Sequence, residues 1–170
     1  MNDHYTTDHF LSVLEAHKGI LYKIAGSYSK SKEERKDLVQ EMVYQLWKSF
    51  DQYDDQYKYS TWIYRIALNV AISFYRKDIR RQAINFEVDE TLLELPDSVV
   101  ETDTDPKIIA LKFFISQLSE MDKALMLLYL EEKTHKEIAH IIGLSESNVG
   151  TKIGRIKALL RDKFSNIKTL

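Results

Sequence analysis

The sequence predicts an all-α protein: two small helical domains joined by an acidic flexible linker. Apolar residues recur at helical spacing through most of the chain. Only five glycines and two prolines punctuate 170 residues, too few for a strand-rich fold. Charge is also segregated, beneath a net charge of −2. Residues 82–105 carry eight acidic and no basic side chains, and residues 133–170 carry eight basic and three acidic ones.

The first helix is expected from about residue 8 to 26, with Phe10, Leu11, Leu14, Leu21, Ile24 and Ala25 on one stripe. A second begins at Ser31, where Glu34 three residues on completes a capping box, and continues through Leu38, Val39, Met42, Val43, Leu46 and Trp47. The stretch 51–58 reads as a polar loop studded with tyrosines. A third helix runs from about Tyr59 into Arg76 and beyond, with Trp62, Ile63, Ile66, Val70 and Phe74 as its apolar face. Between 82 and 105 the periodicity fades, so this acidic stretch is read as a solubilising tether. Asp105 followed by Pro106 restarts helix formation, a capping residue before Pro at the first helical position. Helices are then expected at about 106–117, 120–131, 134–142 and 146–164.

The last two of these form a helix-turn-helix. Thr134 and Glu137 make a capping box, Ala139 is small enough for two helices to cross closely, and Gly143 accepts the left-handed stop. Ser145 caps the second helix, which buries Val149, Ile153, Ile156 and Leu160. Its opposite face is read as Thr151, Lys152, Arg155, Lys157 and Arg161, groups that reach phosphates and base edges. Gly150 and Gly154 soften that helix, and either serve a close approach to DNA or simply weaken it.

Several chemistries are excluded or disfavoured. With no cysteine there are no disulfides or thiolate metal sites, and no metal or other cofactor is expected. Ser27 with Lys30 and Ser29 with Lys32 have the spacing of some acyl enzymes but lack the companion motifs. His135 and His140 are five apart, out of register for zinc on one helix face. Residues 1–8 lack the apolar core of a signal peptide, and no stretch approaches the roughly 20 apolar residues needed to span a bilayer. A cytoplasmic, non-enzymatic protein without membrane insertion is expected.

The run of Asp37, Leu38, Val39, Gln40 and Glu41, then Trp47, then YSTWIYRIALN over 59–69, resembles the second conserved region of bacterial RNA polymerase sigma factors. A plan with only regions two and four resembles their extracytoplasmic-function (ECF) group. The resemblance covers about 10–80 and 106–164. It implies an alternative sigma factor that binds polymerase core and directs promoter-specific initiation. Residues 8–81 would be the core-binding and −10-melting domain, 82–105 the linker, and 106–166 the −35-binding domain.

By the same resemblance Asp37, Leu38, Gln40 and Glu41 contact core polymerase, with Leu38 and Trp47 partly structural. The −10 element falls to Lys58, Tyr59, Trp62, Arg65, Asn69, Arg76 and Lys77, and the −35 element to Ser147, Asn148, Thr151, Lys152, Arg155 and Lys157. Ser73 stands where many members carry Asp. Trp62 lies on the apolar stripe, which favours a core position over a base contact, and the tyrosines fit either packing or stacking. Partners implied are RNA polymerase core, promoter DNA and an anti-sigma factor, with the free protein a monomer. A polymerase-independent helix-turn-helix regulator is the alternative, and it predicts a homodimer on palindromic sites. An interaction protein that no longer engages DNA is a third reading.

Overall fold

Nothing between Asp3 and Asp8 breaks a helix, and the first helix starts five residues ahead of the expected position. In the computed structural model, which describes residues 3–84 and 105–167, α1 spans Asp3–Tyr28, α2 Lys32–Ser49 and α3 Tyr59–Ile84. A single 3₁₀ turn, Phe50–Gln52, follows α2. Then come α4 (Pro106–Ser116), α5 (Glu120–Leu130), α6 (His135–Ile142) and α7 (Glu146–Ile167). The chain divides into two compact units, one holding α1 to α3 and the other α4 to α7. α3 continues three residues into the stretch read as linker, since Gln82 and Ala83 favour helix and no Gly or Pro intervenes. The rest of that stretch, 85–104, lies outside the described residues.

In the first unit each helix packs on the other two. Its core is Phe10, Val13, Leu21, Ile24, Ala25 and Tyr28 from α1, Leu38, Met42 and Leu46 from α2, and Ile63, Tyr64, Ala67, Leu68, Ala71 and Ile72 from α3. Burial of a side chain such as Leu38 contributes about 1.5–3 kcal/mol. The expected stripes are corrected in two places. Leu11 is exposed, and Val13 takes its place in the core. On α3 only Ile63 of the expected face is fully buried, whereas Trp62, Ile66, Val70 and Phe74 are half-buried. The apolar band of α3 is wider than one face. Its small members, Ala67 and Ala71, turn inward, where two neighbouring helices approach closely.

Local signals determine the helix starts. Ser31 caps α2 by accepting from the Glu34 N–H at 3.1 Å. The reciprocal bond of the expected capping box is shifted by one residue: the Glu34 carboxylate accepts from the Lys30 N–H at 2.7 Å. Ser27 and Ser29 donate back to the Lys23 and Ala25 carbonyls, and the Lys30 ammonium reaches Asp78.

The second unit follows the sequence closely. Asp105 caps α4 through the Lys107 N–H at 2.8 Å, ahead of Pro106. Thr134 and Glu137 form the full capping box at 3.2 and 2.8 Å. Gly143 leaves α6 at φ 80° and Ser145 accepts from the Asn148 N–H at 3.2 Å. Ile138, Ile141, Val149, Ile153, Ile156 and Leu160 are all buried, with Ala139 and Ile142 half-buried. One residue in this core was not anticipated: Lys123 of α5 is 4% exposed.

Candidate nucleic-acid interface

The loop between α2 and α3 is held by aromatic packing. Asp54 shapes its turn by accepting from the Gln56 N–H at 3.0 Å, while the Tyr57 N–H reaches the Asp54 carbonyl at 3.2 Å. Tyr53 stacks on Tyr59 with centroids 4.2 Å apart, meets Trp62 edge-on at 5.5 Å, and donates its hydroxyl to the Tyr57 carbonyl. Loss of hydration, then the neighbouring Tyr59, Asp55 and Asp54, push the Tyr53 hydroxyl above the usual tyrosine range and keep it protonated. From α1, His9 shares a 3.1 Å hydrogen bond with the Tyr59 hydroxyl and packs edge-on against Phe50. The tyrosines thereby sort themselves: Tyr64 is core, Tyr53 and Tyr59 pack against each other, and Tyr57 is 41% exposed. Beside the stacked pair lies a cleft of about 490 Å³ lined by His17, Tyr57, Lys58 and Tyr59 among others.

Along α3, at about 100° per residue, Trp62, Arg65, Asn69 and Arg76 fall on one side. Arg65, Asn69 and Arg76 are exposed, and Trp62 is half-buried against Phe50 and Tyr53. Lys58 is exposed at the end of the loop, and its carbonyl accepts from the Thr61 and Trp62 N–H groups. Lys77 lines a separate groove between α2 and α3, of about 590 Å³, together with Asn69, Glu41 and Lys48. This groove has an apolar floor of Ile66, Val70 and Phe74.

On α2, Asp37, Gln40 and Glu41 are exposed, and Glu41 accepts from the Gln45 amide at 2.8 Å. Leu38 does not join them. It is 0% exposed and packs in the core, because it sits about 100° around the helix from Asp37, on the buried side. Trp47 is 43% exposed, edge-on to Phe10 at 5.0 Å, and lines an apolar groove of about 420 Å³ with Leu11, Val39, Val43 and Tyr44.

On α7, Ser147, Asn148, Thr151 and Arg155 are exposed and Lys152 is half-buried at their edge. The Thr151 hydroxyl donates to the Ser147 carbonyl at 3.1 Å, leaving its oxygen able to accept. Lys157 departs from the expected face. It lies roughly 160° around the helix from Arg155, where its ammonium donates to the Tyr129 hydroxyl at 3.2 Å and sits 5.2 Å from that ring. A Cβ at Gly150 would meet His135 of α6 at an ordinary 3.5 Å, and one at Gly154 would meet nothing within 4 Å. Neither glycine is demanded by packing within the chain.

Sigma-70 region 2 matches residues 13–81 and Sigma-70, region 4 matches residues 109–160, between them more than two thirds of the chain. This chain is an ECF sigma factor. It is 25% identical to the ECF RNA polymerase sigma factor SigW of Bacillus subtilis, covering 94% of this chain and 91% of that one. The ECF sigma factor SigM of the same organism is 28% identical, over 83% and 86% of the two chains. Among solved structures, the sigma factor RpoE in complex with the anti-sigma factor NepR from Bartonella quintana shares the fold. Its TM-score is 0.69, with 19% identity, 97% of this chain and 98% of that one. CnrH in complex with the cytosolic domain of CnrY gives a TM-score of 0.66 at 20% identity, covering 94% and 90%.

The first unit of this sigma factor thus carries region 2 and the second region 4. Sequence reasoning missed the two histidines of α1 that touch the loop. His9 meets a tyrosine 50 positions away, and no local pattern announces such a contact. No described helix is long and apolar enough to cross a membrane.

Proposed function

We propose that this alternative sigma factor binds RNA polymerase core through the exposed α2 face of Asp37, Gln40 and Glu41. Region 2, within residues 8–81, opens the −10 element. Region 4, within 106–166, anchors the −35 element, and the acidic stretch 82–105 tethers the two. The observations that carry the reading are the loop cleft beside Tyr53 and Tyr59 and, along one side of α3, the exposed Arg65, Asn69 and Arg76. Strand opening costs base stacking and pairing. Aromatic and imidazole rings that receive an unstacked base, beside cations that hold its phosphates, offset that cost.

The surface of α2 supports the polymerase assignment, since an acidic and amide-bearing face complements a basic partner. Asn148, Thr151, Lys152 and Arg155 on α7 suit a major groove, with Ser147 at the helix start. Lys157 is assigned to holding α7 against Tyr129. The solved relatives held by anti-sigma partners support an anti-sigma factor here as well, acting on a cytoplasmic protein that is monomeric when free. Initiation chemistry belongs to the polymerase.

The reading is tested by adding the protein to purified core and measuring retention of a single-stranded −10 oligonucleotide. Glu41→Lys combined with Asp37→Lys is expected to abolish core association while leaving the helical content intact. Unaltered association would remove the α2 assignment.

A further inference from the structure

Resting on the −10 reading of the loop cleft, we infer that His9 is a positioning residue for strand capture, acting through the hydroxyl of Tyr59. Tyr59 opens α3 and lines the cleft. His9 belongs to α1, 50 positions earlier in the chain, and its Nε2 lies 3.1 Å from the Tyr59 hydroxyl. The first helix is thereby part of the apparatus that receives the strand.

Two different constraints act on the Tyr59 ring. Stacking on Tyr53, with centroids 4.2 Å apart and planes 17° apart, holds the ring by its face. Contact between apolar faces is weakly directional, so it leaves the ring free to slide and turn in its own plane. A hydrogen bond is directional, and here it acts at the far tip of the ring, fixing what stacking leaves open. His9 is itself braced: its ring meets Phe50 edge-on at 5.6 Å, and Phe50 lies near-parallel to Tyr59 at 6.4 Å. A hydroxyl both donates and accepts, so the bond forms with either tautomer of the neutral imidazole. Ordering a side chain before its ligand arrives removes that ordering cost from binding. His9 is exposed and Tyr59 half-buried. Substitutions at such a surface position usually change fold stability little, so the bond's effect falls on strand affinity.

The test uses the holoenzyme, formed from core polymerase and the full chain, with a randomised pool of single-stranded −10 oligonucleotides. His9→Phe keeps a ring against Phe50 but removes the hydrogen bond. It should weaken strand retention about fivefold, the scale of one such bond. Affinity for −35 duplex and the thermal midpoint of the free chain should stay at their natural values. His9→Gln places an amide where Nε2 stood and should recover most of the loss. Tyr59→Phe should cost at least as much as His9→Phe, and combining the two should cost nothing further. Undiminished retention in His9→Phe overturns the inference, as does a loss that His9→Gln fails to recover or that adds in full to that of Tyr59→Phe. A fall in retention matched by a fall in the thermal midpoint assigns His9 to the fold alone and overturns it equally. Failure of the natural holoenzyme to retain any strand would overturn the −10 reading itself, and this inference with it.

Discussion

Lys123 is buried on α5, followed in the chain by the core residues Ala124, Leu125 and Met126. Burial lowers its pKa below the ordinary 10.5, against a smaller opposing pull from Glu120. The unfolded chain therefore holds that proton more tightly than the folded one. The resulting penalty is fully present below the folded pKa and fades as pH rises toward 10.5. Calorimetry should show the α4–α7 transition rising through this alkaline window, and Lys123→Met should lift it at neutral pH and flatten the rise. A lower midpoint in Lys123→Met would mean that the ammonium's contacts outweigh its burial. Gly154 gives a simpler case. With nothing within 4 Å of an added Cβ, Gly154→Ala should stabilise the unit by up to ~1 kcal/mol through helix propensity alone. If the same variant weakens −35 duplex binding, the glycine serves a close approach of DNA rather than the fold.

Individual elements were legible in proportion to how local their causes are. The Thr134 capping box, the Gly143 stop and the α7 core positions depend on neighbours within a turn or two, and the structure places them as the sequence predicts. The rotation of α3 depends on which of several apolar faces the other two helices take, and periodicity alone does not decide that. The same limit applies to Leu38. It was grouped with Asp37, Gln40 and Glu41 by motif, yet it points into the core. Leu38→Ala should therefore cost about 2–5 kcal/mol of stability in chemical denaturation, whereas Gln40→Ala should leave stability within about 0.5 kcal/mol and reduce core affinity. Equal stabilities for the two variants would contradict the assignment of α2's faces. The loop cleft was legible only in composition: its tyrosines and Lys58 were evident, but its closure by His9 and His17 rests on contacts between distant parts of the chain.

For the whole molecule, the near-neutral total charge conceals a division of labour. The basic side chains toward the C-terminal end lie largely on α7, and the acidic side chains of 82–105 separate them from region 2. DNA binding by region 4 should then be salt-dependent and carried by few phosphates. Arg155→Ala should reduce the slope of log affinity against log salt by about one, and Lys157→Ala, packed on Tyr129, should change stability more than slope. Equal slope changes in the two variants would return Lys157 to the DNA-contacting face. Both units are small and present separate surfaces, which suits a factor whose two anchors are positioned by a larger partner. The most direct test is transcription by purified core polymerase from a genomic promoter library, with and without the protein. The account predicts a discrete set of new start sites, each preceded by a shared pair of −35 and −10 elements and lost in the Asp37→Lys, Glu41→Lys double variant. An unchanged transcript population, with no promoter gained over core alone, would contradict it.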